Sequence, residues 1–257
     1  MSAENCTLEG YDLFLPEMGN PQRDKSLFHT VEIATTTYCN RKCENCQNSL
    51  HDRGKHLMVQ SLFKKIINDL LALDFDGWIS PHFYGEPLTD KRIPEFVRLT
   101  KTILPRCRVR ITTNGDLLTH DLAYELVHNG VDEFVITSYD DIAFKRMTSL
   151  IEHLSMQERQ KIKHRRVEDL YLMNRGGILN IRNKPVQCCN YPSHYLVIDY
   201  MGDVVLCCND YFRGHVFGNV KNENLINIWR NTGFQRIREE LKNGIFSRDI
   251  CKRCAGK

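Results

Sequence analysis

The sequence predicts an α/β protein: a partial, open TIM-like barrel of parallel strands, followed by a small C-terminal β-hairpin and helix unit. Three observations predict it. From Thr30 to about Leu172, short β-like runs alternate with amphipathic helices, the pattern of parallel strands joined by right-handed crossovers. Five such repeats are too few to close an eight-stranded barrel. After about Asn174 the alternation gives way to a hairpin and a helix among clustered cysteines.

The elements follow in order. The first strand is Thr30 to Ala34 (TVEIA), and a polar, cysteine-bearing loop leaves it. A helix then sets Leu62, Phe63, Ile66, Ile67, Leu70 and Leu71 on one face at three- and four-residue spacing. Trp78 to Tyr84 reads as the second strand, against the grain at Pro81. A helix around Ile93, Phe96, Val97 and Ile103 leads to strand three, Arg108 to Thr112. The next helix runs from His120 to His128 and stops at Asn129-Gly130. Strand four is Glu133 to Thr137, a helical stretch spans Ile142 to Lys163, and strand five is Asp169 to Leu172. His194 to Asp199 and Val204 to Cys207 flank the turn Met201-Gly202-Asp203 as a hairpin. A last helix covers Leu225 to Leu241. Three units are expected: an arm over 1–29, the barrel over 30–173, and a cysteine-rich unit over 174–257.

Composition narrows the function. A net charge of +3 over 257 residues is too small to call for a nucleic-acid partner. No stretch spans a membrane, and the N-terminal segment lacks the basic start and apolar run of a signal peptide. The expectation is a cytoplasmic protein. The 11 cysteines stand out. A disulfide framework suits small secreted domains, whereas clustered cysteines in a reducing compartment bind metal.

Directly after strand one the chain reads Cys39-Asn-Arg-Lys-Cys43-Glu-Asn-Cys46. Three thiolates on one loop can hold three irons of a cubane cluster and leave the fourth open to a small molecule. A zinc site is the alternative, but it wants four ligands in a closed shell. Strand two ends in Tyr84-Gly85-Glu86-Pro87 and strand three in Thr113-Asn114-Gly115. Alone these are turn sequences. Behind a three-cysteine loop, at the same end of successive strands, they fit the walls of a cofactor site, where an ammonium needs acceptors and a glycine admits the backbone. Further along come Cys188, Cys189, Cys207, Cys208, Cys251 and Cys254. Cys107 reads as a core thiol and Cys6 as an ordinary one.

The C-x3-C-x2-C spacing after the first strand resembles the signature of the radical S-adenosylmethionine superfamily. Asn45 departs from it, since an aromatic residue usually precedes the third cysteine. The resemblance implies S-adenosylmethionine as cofactor, a [4Fe–4S] cluster on Cys39, Cys43 and Cys46, and cofactor contacts from Tyr84, Gly85, Glu86, Pro87, Asn114 and Ser138. It also implies a one-electron donor such as flavodoxin or ferredoxin. The C-terminal cysteines resemble the twitch domain, a shortened SPASM domain. That implies a second [4Fe–4S] cluster on Cys189, Cys207, Cys251 and Cys254, with Cys188 and Cys208 left over and a ligand swap by one residue still open.

HFYGEPL (82–88), TNGDLLT (113–119), NRGGIL (174–179) and Asn227-Ile228-Trp229 are similar to segments of the superfamily's alcohol dehydrogenases of aminoglycoside biosynthesis. The resemblance implies that an adenosyl radical takes hydrogen from a carbinol carbon of an aminocyclitol, and that the auxiliary cluster takes the remaining electron. Arg175 matches the substrate-contacting arginine and suits a developing oxyanion; a surface arginine beside a Gly-Gly turn is the plainer reading. Cys208 and Asn209 depart from the pattern. A thiol at Cys208, or at Cys188, that returned a hydrogen atom would make the enzyme an epimerase of a carbohydrate or a peptide. A metal-stabilised binding module is the non-enzymatic alternative.

Overall fold

The computed structural model describes Asp24 and residues 26–257. Most of the arm expected over 1–29, with Cys6, lies outside the described residues. The chain runs β1 (Thr30–Ile33), α1 (Gln47–Leu50), α2 (Gln60–Ala72), β2 (Trp78–Ser80), α3 (Ile93–Ile103), β3 (Arg108–Thr113), α4 (His120–His128), β4 (Glu133–Ser138), α5 (Asp141–Glu152), α6 (Met156–Arg159) and β5 (Ile162–Arg166). It continues with α7 (Tyr191–His194), β6 (Tyr195–Ile198), β7 (Asp203–Val205), β8 (Val216–Asn219), α8 (Leu225–Trp229), α9 (Thr232–Lys242) and α10 (Asp249–Cys254).

The strands form one open sheet in the order β5-β4-β3-β2-β1-β6-β7-β8. All pairings from β5 through β1 to β6 are parallel, and β6-β7-β8 are antiparallel. The expected open, parallel architecture is therefore present, and the expected hairpin is β6-β7. That hairpin is not a separate sheet: β6 lies parallel to β1, with Glu32 opposite Val197.

Three elements differ from the sequence reading. Strand two stops at Ser80, because Pro81 has no N–H for the ladder. The helix expected over 142–163 ends at Glu152, and Ser155 opens a new one-turn helix with a capping box to Glu158. Strand five is consequently Ile162–Arg166 rather than 169–172. Its sequence, IKHRR, is an edge strand dominated by charge, with no apolar alternation to announce it. The helix expected over 225–241 breaks into α8 and α9, where Asn231 accepts from the N–H groups of Gly233 and Phe234.

The two sheet faces differ in chemistry. Val31, Ile33, Ile79, Val109, Ile111, Phe134, Ile136, Leu196 and Ile198 point into the main core. That core is closed by helices, as where Phe63 of α2 stacks on Phe96 of α3 at 4.2 Å. Strand alternation puts Glu32, Ser80, Arg110 and Glu133 on the other, inner face. Register aligns them as a row: Glu32 is opposite Ser80, and Arg110 is opposite Glu133. Ser80 Oγ donates to the Arg110 carbonyl at 3.2 Å, and Arg110 Nε meets Glu133 Oε1 at 2.5 Å. A smaller apolar cluster of Ala34, Phe83, Tyr191, Tyr195, Val197 and Val205 closes the β6-β7 side of that face.

Candidate active site

The first cysteine loop leaves β1 at the C-terminal edge of the sheet, where the β2, β3 and β4 loops also emerge. Cys39, Cys43 and Cys46 are free and partly buried. Burial, followed by the proximity of the other two thiols, pushes Cys43 up to about 11. Cys39 is likewise raised, first by burial. The loop is clamped from outside: Arg41 Nε and Nη2 donate to the two Asp116 oxygens at 2.5 and 2.7 Å, and Nη1 donates to Asp140 at 2.9 Å. Asp116 belongs to TNGD and Asp140 caps α5, so the clamp ties the cysteine loop to the ends of β3 and β4.

The Tyr84-to-Pro87 segment closes on the same loop. Gly85 has no room for a side chain, since a Cβ there would lie 2.2 Å from the Thr36 carbonyl oxygen. The close backbone approach expected of this glycine is therefore to the chain itself. Glu86 N donates to the Tyr38 carbonyl at 2.8 Å. The buried Glu86 carboxylate accepts from Leu88 N (3.1 Å), Thr113 Oγ1 (2.6 Å) and Asn114 N (2.8 Å). A carboxylate offers about four acceptor positions, so about one remains. Pro87 is buried at the start of a 3-10 turn over 87–89. Asn114 Nδ2 donates to Asn40 at 2.8 Å and points to Cys39 Sγ at 3.9 Å. Ser138, buried at the end of β4, pairs with His164 Nε2 at 2.9 Å.

Cys189, Cys207, Cys251 and Cys254 line one cavity, with Leu206, Asn209 and Phe246 among its other walls. Burial raises all four thiols, Cys189 and Cys251 to about 12. Among the described residues, no His, Cys, Asp and Glu side chains gather tightly enough for one metal ion. A cubane differs in its demands, since it spreads thiolates around its corners. The donor set fits such a cluster, and loading it would release the protons that burial now retains. Cys207 and Cys208 both pack against the inner-face aromatic cluster, and Cys207 also lines the cavity, which Cys208 does not. Cys188 is disulfide-bonded and does not line the cavity.

Arg175 is close enough for its charge to act on groups at both cysteine sites. Its charge acts on Glu32, on Tyr84 and Tyr139 beside the first loop, and on Cys254 of the second site. Three successive left-handed residues, Arg175 (φ 51°), Gly176 (φ 70°) and Gly177 (φ 90°), present it. Gly176 is needed twice over, for that φ and because a Cβ would meet Ile250 at 2.6 Å. Tyr84 joins the two sites directly: Gln47 Nε2 donates to its hydroxyl at 2.8 Å, and the hydroxyl donates to the Cys208 carbonyl at 2.5 Å.

Residues 33–138 match the model of the radical SAM superfamily, and residues 188–255 match that of an iron–sulfur cluster-binding domain, SPASM. The S-adenosyl-L-methionine-dependent 2-deoxy-scyllo-inosamine dehydrogenase of Niallia circulans is 36% identical over 233 residues, 89% of this chain and 93% of that protein. The chain belongs to the radical S-adenosylmethionine superfamily. The superfamily's cofactors, S-adenosylmethionine and a [4Fe–4S] cluster with a second cluster in the SPASM region, are those of this chain. Among solved structures it is similar to BtrN in complex with AdoMet and 2-DOIA (34% identity, TM-score 0.83, 89% of this chain and 93% of that one). BtrN in an open conformation is also similar (30%, 0.71, 89% and 92%). No helix among the described residues is long and apolar enough to cross a membrane.

For a radical S-adenosylmethionine protein, Glu32 is the notable residue that the sequence reading missed. Burial raises its carboxyl to about 7, against the pull of a Tyr191 hydrogen bond and the charges of Arg110 and Arg175. Its Oε2 is buried with no hydrogen-bond partner among the described residues. The signal was present as a lone acid in the strand TVEIA, whose parity turns it to the inner face. The Arg41–Asp116 clamp had no such signal, because the partners lie 75 residues apart. Asn45, the departure from the superfamily's signature, is exposed.

Proposed function

We propose that this chain oxidises a secondary alcohol of an aminocyclitol or a related aminoglycoside-type carbohydrate to a ketone. The observation that carries the reading is the seat of Arg175, whose loop is fastened to the helix of Cys251 and Cys254 and whose charge acts on Glu32, Tyr84 and Cys254. The named activity of the Niallia circulans relative supports the same reaction class.

Cys39, Cys43 and Cys46 would hold a cluster whose open iron takes S-adenosylmethionine, the source of a hydrogen-abstracting radical, and Cys189, Cys207, Cys251 and Cys254 would hold the electron-accepting cluster. Tyr84, Gly85, Glu86, Pro87, Asn114 and Ser138 form the cofactor's walls in this reading, with Glu86 having room for about one further donor. Arg175 stays protonated and stabilises negative charge on the substrate oxygen as the hydroxyl proton leaves. Glu32 accepts a substrate O–H or N–H at its unpartnered oxygen, and a carboxyl poised near 7 suits a proton acceptor. The polar row Glu32, Ser80, Arg110 and Glu133 makes this face suited to a hydroxyl-rich molecule. A one-electron donor of the flavodoxin or ferredoxin kind completes the partners.

Anaerobically reconstituted enzyme incubated with aminocyclitols tests the reading. The expected product is lighter by two hydrogens, carries no solvent hydrogen on carbon, and forms with 5′-deoxyadenosine. A second reading, epimerisation, draws on the Cys208 side chain, a thiol packed against the inner-face aromatic cluster. It requires a product of unchanged mass in ordinary water that gains one deuterium on carbon in heavy water, and that outcome overturns the dehydrogenase.

A further inference from the structure

Asn209 follows the hairpin cysteines and has no part in the reaction as derived above. It is buried, and it lines the cavity with Cys189, Cys207, Cys251 and Cys254. Its Nδ2 donates to Cys254 Sγ at 3.3 Å. Among the described residues, the other hydrogen bonds to these four sulfurs come from backbone: Tyr191 N–H to Cys189, Asn209 N–H to Cys207, and Gly176 N–H to Cys254. Asn209 is thus the side chain that adds a donor to a sulfur in this cavity. The placement is held from the far side, because the Tyr84 hydroxyl fixes the carbonyl of the preceding Cys208.

A cluster that takes up one electron gains one negative charge, and its cysteine sulfurs share that charge. An N–H aimed at a sulfur stabilises the reduced form more than the oxidised one, and so raises the reduction potential. We propose that Asn209 tunes the second cluster: its amide N–H, given to the Cys254 sulfur, raises the potential and makes the cluster a better acceptor of the substrate's electron. The inference rests on the reading that Cys254 is a cluster ligand. Substitution by a residue of the same size without a donor removes the effect and leaves all four cysteines in place.

The test is an EPR-monitored redox titration of reconstituted protein carrying Cys39→Ala, Cys43→Ala and Cys46→Ala, so that the second cluster is observed by itself. Asn209→Leu is expected to retain about four irons per chain and to shift the midpoint to a more negative potential. Asn209→Asp, which adds an acceptor and a charge, is expected to shift it further in the same direction. A cluster-bearing Asn209→Leu protein at the parent's potential overturns the inference, even if Asn209→Asp shifts, because charge alone would then account for the effect. If Asn209→Leu does not hold iron, Asn209→Ala carries the same test. The underlying reading fails separately: Cys254→Ala in the same background that keeps about four irons with the parent's EPR signal and midpoint potential removes Cys254 as a ligand.

Discussion

Asn174 and Arg253 hold one another across the site: Asn174 Nδ2 donates to the Arg253 carbonyl at 2.8 Å, and Arg253 Nε donates back to the Gly176 carbonyl at 2.8 Å. The loop that presents Arg175 is therefore fastened to α10, the helix that carries Cys251 and Cys254. Asn174 Oδ1 also accepts from Gly176 N, Gly177 N and Asn183 Nδ2. Asn174→Ala removes an acceptor that these three donors share, together with the bond to the Arg253 carbonyl. It is expected to cost about 1–3 kcal/mol in thermal or denaturant unfolding. The same variant is expected to lower product yield while S-adenosylmethionine cleavage continues, since the loop that aims Arg175 loses its brace.

Arg175 itself gives the second prediction. Removing one preorganised donor from a developing oxyanion typically costs about 10²–10³ in rate. Arg175→Ala is expected to lose ketone formation on that scale and still release 5′-deoxyadenosine. Arg175→Lys keeps the charge without the planar fork and is expected to fall between. The measured quantity is ketone per 5′-deoxyadenosine. An unchanged ratio in Arg175→Ala would return the residue to an ordinary surface role.

The two cysteine sets are expected to be separable. Reconstituted protein should carry about eight irons, and Cys39→Ala with Cys43→Ala and Cys46→Ala should leave about four and abolish S-adenosylmethionine cleavage. Cys189→Ala with Cys207→Ala should also leave about four but retain S-adenosylmethionine cleavage. A triple variant of the first set that still cleaves the cofactor would sink its assignment.

Glu86 joins the ends of β2 and β3 through three donors, two of them backbone N–H groups. A glutamine in its place has one acceptor oxygen and directs an NH2 group at donors. Glu86→Gln is expected to lower stability by about 1–3 kcal/mol and to weaken S-adenosylmethionine binding by a similar amount. Calorimetric titration of the cofactor, with a melt of the same sample, separates the two effects. Lost stability with unchanged affinity would leave Glu86 as a structural joint between the strands.

The legible parts of this molecule were those written in local pattern. Leu62, Phe63, Ile66 and Ile67 recur at helical spacing, and all four are buried on α2. The cysteine spacings are short, so each set announced itself before the fold was known. What stayed hidden depended on register and closure. The row from Glu32 to Glu133 exists only once β1 through β4 are aligned. Strand β5 is an edge of charged residues with no hydrophobic period to read. Arg41 looked like one cation among many until β3 brought Asp116 to it.

Glu32 supplies a pH dependence whose sign can be worked out. Burial raises its carboxyl from 4.5 to about 7 in the folded chain. Between these values the folded state holds a proton that the unfolded state has released, so unfolding free energy falls as pH rises through this window. Below about 4.5 and above about 7 this group contributes no slope. The total change is about 3 kcal/mol at one unit per 1.36 kcal/mol. Glu32→Gln cannot titrate. The stability difference, variant minus parent, is therefore expected to grow in the variant's favour as pH goes from about 5 to 7, measured by urea unfolding without substrate. Substrate affinity runs the other way, because the ionised carboxylate is the better acceptor for a substrate ammonium or hydroxyl. The parent should bind an aminocyclitol more tightly as pH rises through about 7, and Glu32→Gln should lose that rise. Parallel pH profiles for parent and variant, in both stability and binding, would remove Glu32 from the substrate's site.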